Sequence, residues 1–182
     1  VVLATKFHGK MGDDPNEFGN SRRWIMREVD NSLRRLGTDW IDLYQVHRPE
    51  IDTDIDETLS ALSDLVHQGK VRYIGSSTFP ASQIVEAQWV AHDRRLLRFV
   101  TEQPPYSILV RAIENDVLPA CQRHGIGVIP WSPLTAGWLK ITSPDSRLGF
   151  LAHAQDTAAK VASGAIDPTR GARLIFNDRL DA

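Results

Sequence analysis

The chain has 182 residues, 42% of them hydrophobic and 24% charged, the proportions of a soluble globular protein with room for one domain and a sizeable core. A net charge of −2 and a pI near 6.3 give no electrostatic footprint for nucleic acid, and no apolar run approaches the roughly 18 residues that a membrane helix needs. The single cysteine, Cys121, excludes an internal disulfide and reads as an inert thiol of a reducing compartment, so a cytoplasmic location is expected. The opening VVLATKFHGK has neither an initiating Met nor the pattern of a signal peptide. Val1 to Thr5 reads as a strand, so the chain is expected to start in mid-fold.

A polar loop follows, and Ser21 offers an N-cap for a helix whose Ile25, Val29, Leu33 and Leu36 form one stripe ending at Gly37. Ile41 to Val46 is the second strand. Asp54 and Glu57 have capping-box-like spacing and open a helix carrying Leu59, Leu62, Leu65 and Val66, which Gly69 ends. VRYIGSS is the third strand, Ala81 to His92 a helix, RFVTEQ the fourth strand, Ile113 to His124 a helix, and IGVIPWS the fifth strand. Beyond Leu139 the pattern fades, with moderate helical character from Leu151 to Ala162. No linker interrupts it, so one domain over 1–182 is expected, with 140–182 as a weakly patterned tail.

Strand alternating with helix at this spacing predicts the α/β class with parallel strands. An open doubly wound sheet would carry G-x-G-x-x-G after a strand, or a phosphate loop, and neither is present. A closed barrel predicts polar residues at the C-terminal end of strand after strand, where its site is built. Lys6, His47, Ser76 with Ser77, Gln103 and Ser132 stand there in turn, which favours a (β/α)8 TIM-barrel type. Lys6 could hold a carboxylate or depress the pKa of a neighbouring acid, and His47 is suited to general acid–base work. Taken singly, each is as compatible with a solvated or satisfied rim residue. Asp52, Asp54 and Asp56 lack the Gly and Glu that a calcium loop needs, and the remaining histidines lack metal-ligand spacing, so no metal site is expected.

The run NSLRRLGTDWIDLYQVHRPE resembles a signature of the aldo-keto reductases. LATK is similar to that family's lysine-bearing strand, and GKVRYIGSSTF, EQPPYSIL and HGIGVIPWSPLTAGWL resemble three further segments in the same order. Together they cover residues 1 to about 139. The resemblance implies about five of the eight βα units of a barrel that binds NADPH and reduces an aldehyde or ketone by hydride transfer. It implies that Lys6 and His47 belong to an Asp, Tyr, Lys and His tetrad in which Tyr gives its proton to the carbonyl oxygen. Ser76 and Gln103 would hold the nicotinamide carboxamide, with Tyr106 lining that part of the cup. Ser132 and Leu134 would lie under the pyrophosphate, and Ser77 would stand where the family has Asn.

The family's Asp and Tyr lie upstream of the lysine strand and have no counterpart here, since only Val1 to Thr5 precede Lys6. The final strand and the helix that grips the 2′-phosphate are not matched either, although the tail holds Arg170, Arg173 and Asn177. The expectation is an internal portion of an aldo-keto reductase that is inactive alone, its partner a small carbonyl substrate and its oligomeric state open. A nucleotide-sensing regulatory subunit, resembling the potassium-channel β-subunits, is the alternative.

Overall fold

A computed structural model describes residues 1–135, 159, 160 and 163–165. The chain divides into two compact units, Val1–Trp131 and Ser132–Ala182, the boundary falling inside the last expected strand. In the first unit the elements run β1 (Ala4–Phe7), α1 (Arg22–Leu36), β2 (Ile41–Val46), α2 (Ile55–His67), β3 (Val71–Ser77) and α3 (Ala81–Arg94). They continue through β4 (Thr101–Gln103), a 3-10 turn (Ala112–Glu114), α4 (Val117–His124) and β5 (Gly127–Val128). Of the expected helix at Leu151 to Ala162, only Ala159 and Lys160 lie among the described residues, and both are helical. Arg170, Arg173 and Asn177 lie outside them.

All five strands join one sheet in the order β1-β2-β3-β4-β5, and every pair is parallel. A doubly wound sheet needs a reversal of strand order at its switch point. Strictly sequential order, with a helix in each crossover from β1 to β5, is what a barrel wall requires, and the α/β barrel-type class stands.

Local chemistry sets the helix boundaries. The Ser21 hydroxyl accepts from the Trp24 N–H at 3.3 Å, and Gly37 closes α1 at φ 64°, a left-handed conformation that glycine adopts without penalty. The expected capping box at α2 does not form. Asp54 does cap, accepting from Asp56 N–H at 3.0 Å, but the Glu57 carboxylate turns to the neighbouring helix and accepts from Arg22 N–H at 2.7 Å. It therefore satisfies a free donor at the start of α1 instead of its own.

The helix expected from Ile113 breaks into a 3-10 turn and α4. Pro119 explains this, because it has no N–H to give to residue 115 and fits only in the first turn of a helix. The first strand also slides, from Val1–Thr5 to Ala4–Phe7, and the fourth and fifth are shorter than expected. Pro130 cannot donate to a ladder, and β5 ends before it, leaving an isolated parallel bridge between Pro105 and Trp131.

One face of the sheet packs on the helices. Phe7, Tyr44, Val46 and Ile74 from the strands meet Ile25, Val29, Leu59, Leu62, Leu65 and Ile84, all nearly or fully buried. Leu36, expected in the α1 stripe, is exposed. The alternate residues point the other way. The row Lys6, Gln45, Gly75 and Thr101 runs straight across β1 to β4, and the next row up holds Ser77 and Gln103. That second face is the wall of the cup.

Candidate functional site

Strand parity and register decide which side chains reach the cup. Lys6 pairs with Gln45, and His47, two residues beyond Gln45, shares its face. The His47 N–H donates to the Phe7 carbonyl at 3.2 Å, which holds the end of β2 against the end of β1. Lys6 is half-buried and His47 exposed, so the two stand on one face at the C-terminal ends of adjacent strands.

Their electrostatics are linked. Burial, and then the Arg48 guanidinium, lowers the Lys6 pKa below the ordinary lysine value. Burial is also the first cause holding His47 below its usual value, followed by the positive charges of Arg48, Lys6 and His8. Four basic groups thus share one rim. Arg48 donates through Nη1 to the His47 carbonyl at 3.1 Å and to Thr78 Oγ1 at 2.7 Å, so it spans the ends of β2 and β3. Sequence reading passed over Arg48, although HRPE, with a second cation directly after the rim histidine, was the available signal.

Ser76, expected to hold a cofactor amide, does not stand with these residues. It pairs with Val46 and Glu102 on the helix-facing side, is 1% exposed, and donates its hydroxyl to Glu102 Oε2 at 2.5 Å. The reason is alternation: in a strand, neighbours point to opposite faces, so Ser76 and Ser77 cannot both line the cup. Ser77 faces the cup side, in register with Gln103, but is itself only 2% exposed and donates its hydroxyl to the Gln103 backbone carbonyl at 2.8 Å. The pair at the rim is therefore Ser77 and Thr78. Thr78 holds φ 58°, an uncommon conformation for a β-branched residue. Among the described residues the Gln103 side-chain amide has no hydrogen-bond partner, which leaves its carbonyl and NH2 available.

Tyr106 follows β4, and its hydroxyl donates to Glu114 Oε1 at 2.6 Å while Arg111 pairs with the same carboxylate at 2.8 Å. The hydrogen bond to Glu114 is the main cause raising the Tyr106 pKa. Ser132 and Leu134 belong to the second unit. There Ser132, at φ 55°, opens a turn in which its carbonyl accepts from Thr135 N–H at 2.8 Å, and Leu134 is exposed. Tyr44 is fully buried on the helix side, and burial followed by the Glu28 charge raises its pKa far above the phenol range, so it cannot serve the cup as an acid. Tyr73 lies on the cup face, two residues below Gly75 in β3.

A nicotinamide carboxamide is neutral and needs one donor and one acceptor. The hydroxyls of Ser77 and Thr78 and the amide of Gln103 are a neutral donor and acceptor set of that kind, so the residues present fit the group.

A parallel sheet in sequential order with a polar cluster at its C-terminal rim defines an α/β barrel-type protein with a candidate site where barrel enzymes build theirs. The aldo/keto reductase family model matches residues 1–162, and the chain belongs to that family. It is 46% identical over 144 residues to the uncharacterized oxidoreductase YrpG of Bacillus subtilis, covering 76% of this chain and 44% of that protein. It is 40% identical over 151 residues to the aldo-keto reductase AFTS1 of Alternaria alternata, covering 81% of this chain and 41% of that protein. The chain thus spans less than half the length of these relatives. Among the described residues no helix is long and apolar enough to cross a membrane.

Proposed function

We propose that these 182 residues are one partial barrel domain of a cytoplasmic reductase that converts aldehydes or ketones to alcohols with NADPH. The observation that carries this reading is the placement of Lys6 and His47 on one cup face, at the ends of adjacent strands, within a shared positive field. A nicotinamide cofactor, when bound, supplies the hydride. His47 orients the carbonyl by hydrogen bonding to its oxygen, which polarises the carbon. Lys6, already partly desolvated, lowers the pKa of a phenol brought beside it, because a nearby cation favours the ionised form. Ser77, Thr78 and Gln103 hold the carboxamide, and Tyr106 lines the same side through its ring.

These residues supply two of the four catalytic groups that the family uses, so by themselves they do not turn over. The full-length protein carrying them should oxidise NADPH with an aromatic aldehyde, and Lys6→Met should lower kcat at least about a hundredfold. Unchanged turnover in Lys6→Met sinks the assignment of Lys6. Robust NADPH oxidation by the 182-residue chain alone sinks the claim that it is inactive by itself. NADH run in parallel decides the cofactor preference.

A further inference from the structure

Glu102 is the residue that the chemistry above leaves unused. It is 0% exposed, on the helix-facing side of β4, directly beside Gln103 on the cup face. Burial raises its pKa, and among the described residues no Lys or Arg pairs with it. A buried carboxylate without a cation is costly unless its oxygens are satisfied. Here every donor comes from one short segment. The Ser76 hydroxyl donates to Oε2 at 2.5 Å and the Phe79 N–H to Oε1 at 3.2 Å, while the Thr78 N–H, bonded to the Gln103 carbonyl at 3.2 Å, also favours the charged form.

That segment is the turn from β3 into α3. It contains Thr78 at φ 58°, a conformation that costs about 1–3 kcal/mol and persists only where its surroundings hold it. Below the turn, Phe79 packs edge-on against Phe99 with centroids 5.9 Å apart. Adjacent residues of β4 therefore hold the same turn, Glu102 through its carboxylate on the helix side and Gln103 through its backbone carbonyl in the plane of the sheet. Between them the Ser77 and Thr78 hydroxyls are fixed relative to the Gln103 amide.

We propose that Glu102 is a positioning residue whose buried carboxylate sets the turn at 76–79, so that Ser77, Thr78 and Gln103 converge on a nicotinamide carboxamide. This rests on the reading that the cup binds a nicotinamide cofactor. Glu102 itself touches neither cofactor nor substrate.

The test uses the full-length protein, with hydrogen exchange across 77–80 as one readout and ligand affinity as the other. The ligands are NADPH and adenosine 2′,5′-bisphosphate, which lacks the nicotinamide. In Glu102→Ala, exchange in that segment should accelerate about tenfold or more and NADPH binding weaken about tenfold, the size expected when one buried hydrogen-bonded group is removed. Affinity for the bisphosphate should stay within about twofold of wild type, and Glu102→Gln, which keeps an acceptor for the Phe79 N–H, should restore both readouts to within about threefold. If Glu102→Ala fails to fold, Ser76→Ala decides, since it removes one contact without opening a large cavity and should move both readouts in the same direction. Equal weakening for both ligands, or unchanged NADPH affinity beside lowered stability, overturns the proposal in favour of plain core support. A wild type that binds no NADPH overturns the reductase reading and the subsite role with it, while the exchange pattern alone still reports whether the clamp exists.

Discussion

Arg48 and Thr78 join the ends of β2 and β3, the guanidinium donating to the threonine hydroxyl at 2.7 Å. The same nitrogen donates to the His47 carbonyl at 3.1 Å, so one cation fixes the strand end that bears His47 and the turn that bears Thr78. Its charge acts on both rim groups, lowering Lys6 and His47. Removing it should therefore be visible at residues it does not replace.

In Arg48→Met the His47 pKa should rise towards the ordinary histidine value of 6.5, leaving only burial, Lys6 and His8 to hold it down. The sign for stability follows from linkage. A histidine with a lowered folded pKa binds fewer protons in the native state than in the unfolded chain, so it destabilises the fold as pH falls from 6.5 through the folded value. Arg48→Met should narrow that acid-side loss. NMR titration of the His47 ring, with urea midpoints on either side of pH 6.5, measures both. A His47 pKa that stays put in the variant means that Arg48 does not reach it.

Thr78 should be improvable. At φ 58° its branched Cβ is strained, whereas Asn visits this region more readily and keeps an oxygen for the Arg48 N–H. Thr78→Asn should leave stability unchanged or raise it by up to about 1 kcal/mol, while Thr78→Val should lower it by about 1–2 kcal/mol by keeping the strain and losing the acceptor. Denaturant midpoints rank the three proteins, and Val equal to Thr would show that the hydroxyl contributes nothing.

Gly75 should not tolerate a side chain. A Cβ there would lie 2.1 Å from Thr101 Oγ1 and 2.9 Å from the Thr101 backbone oxygen, in the row that also holds Lys6 and Gln45. Gly75→Ala should cost about 1–3 kcal/mol, the usual range for overpacking. Adding Thr101→Ala should recover part of that and not all, because the backbone contact remains. Full recovery in thermal or urea unfolding would show that only the side chain was in the way.

Much of this architecture was legible in the chain, and the reasons are local. Ser21 and Gly37 carry their own capping chemistry, and Ile41 to Val46 is apolar enough to read as a buried strand without help. Lys6 and His47 were legible because a barrel puts such residues at strand ends. The departures come from tertiary choices. Glu57 has a second acceptable partner in Arg22 N–H, and Pro119 shortens a helix whose apolar spacing runs further back. Ser76 and Ser77 look equivalent as letters, and only the register with Glu102 and Gln103 assigns one to the helices and the other to the cup. Glu102 is the hardest case, since its partners lie more than twenty residues away and nothing beside it announces a buried acid.

Cys121 offers a check on that same buried region. It lies on α4 at 1% exposure, and burial first, then the Glu102 charge, pushes its thiol up to about 11. The thiolate is the nucleophile, so at pH 8 both the small ionised fraction and the lack of access suppress its chemistry. Alkylation by iodoacetamide should therefore run at least about a hundredfold slower in the native protein than in urea, its rate set by opening of the helix from the sheet. Glu102→Gln removes the charge and should lower the thiol pKa, yet native alkylation should stay slow because burial is the larger cause. Fast modification of the folded wild type would mean that α4 is not seated on the sheet, and that Glu102 is not enclosed as it must be to hold its turn.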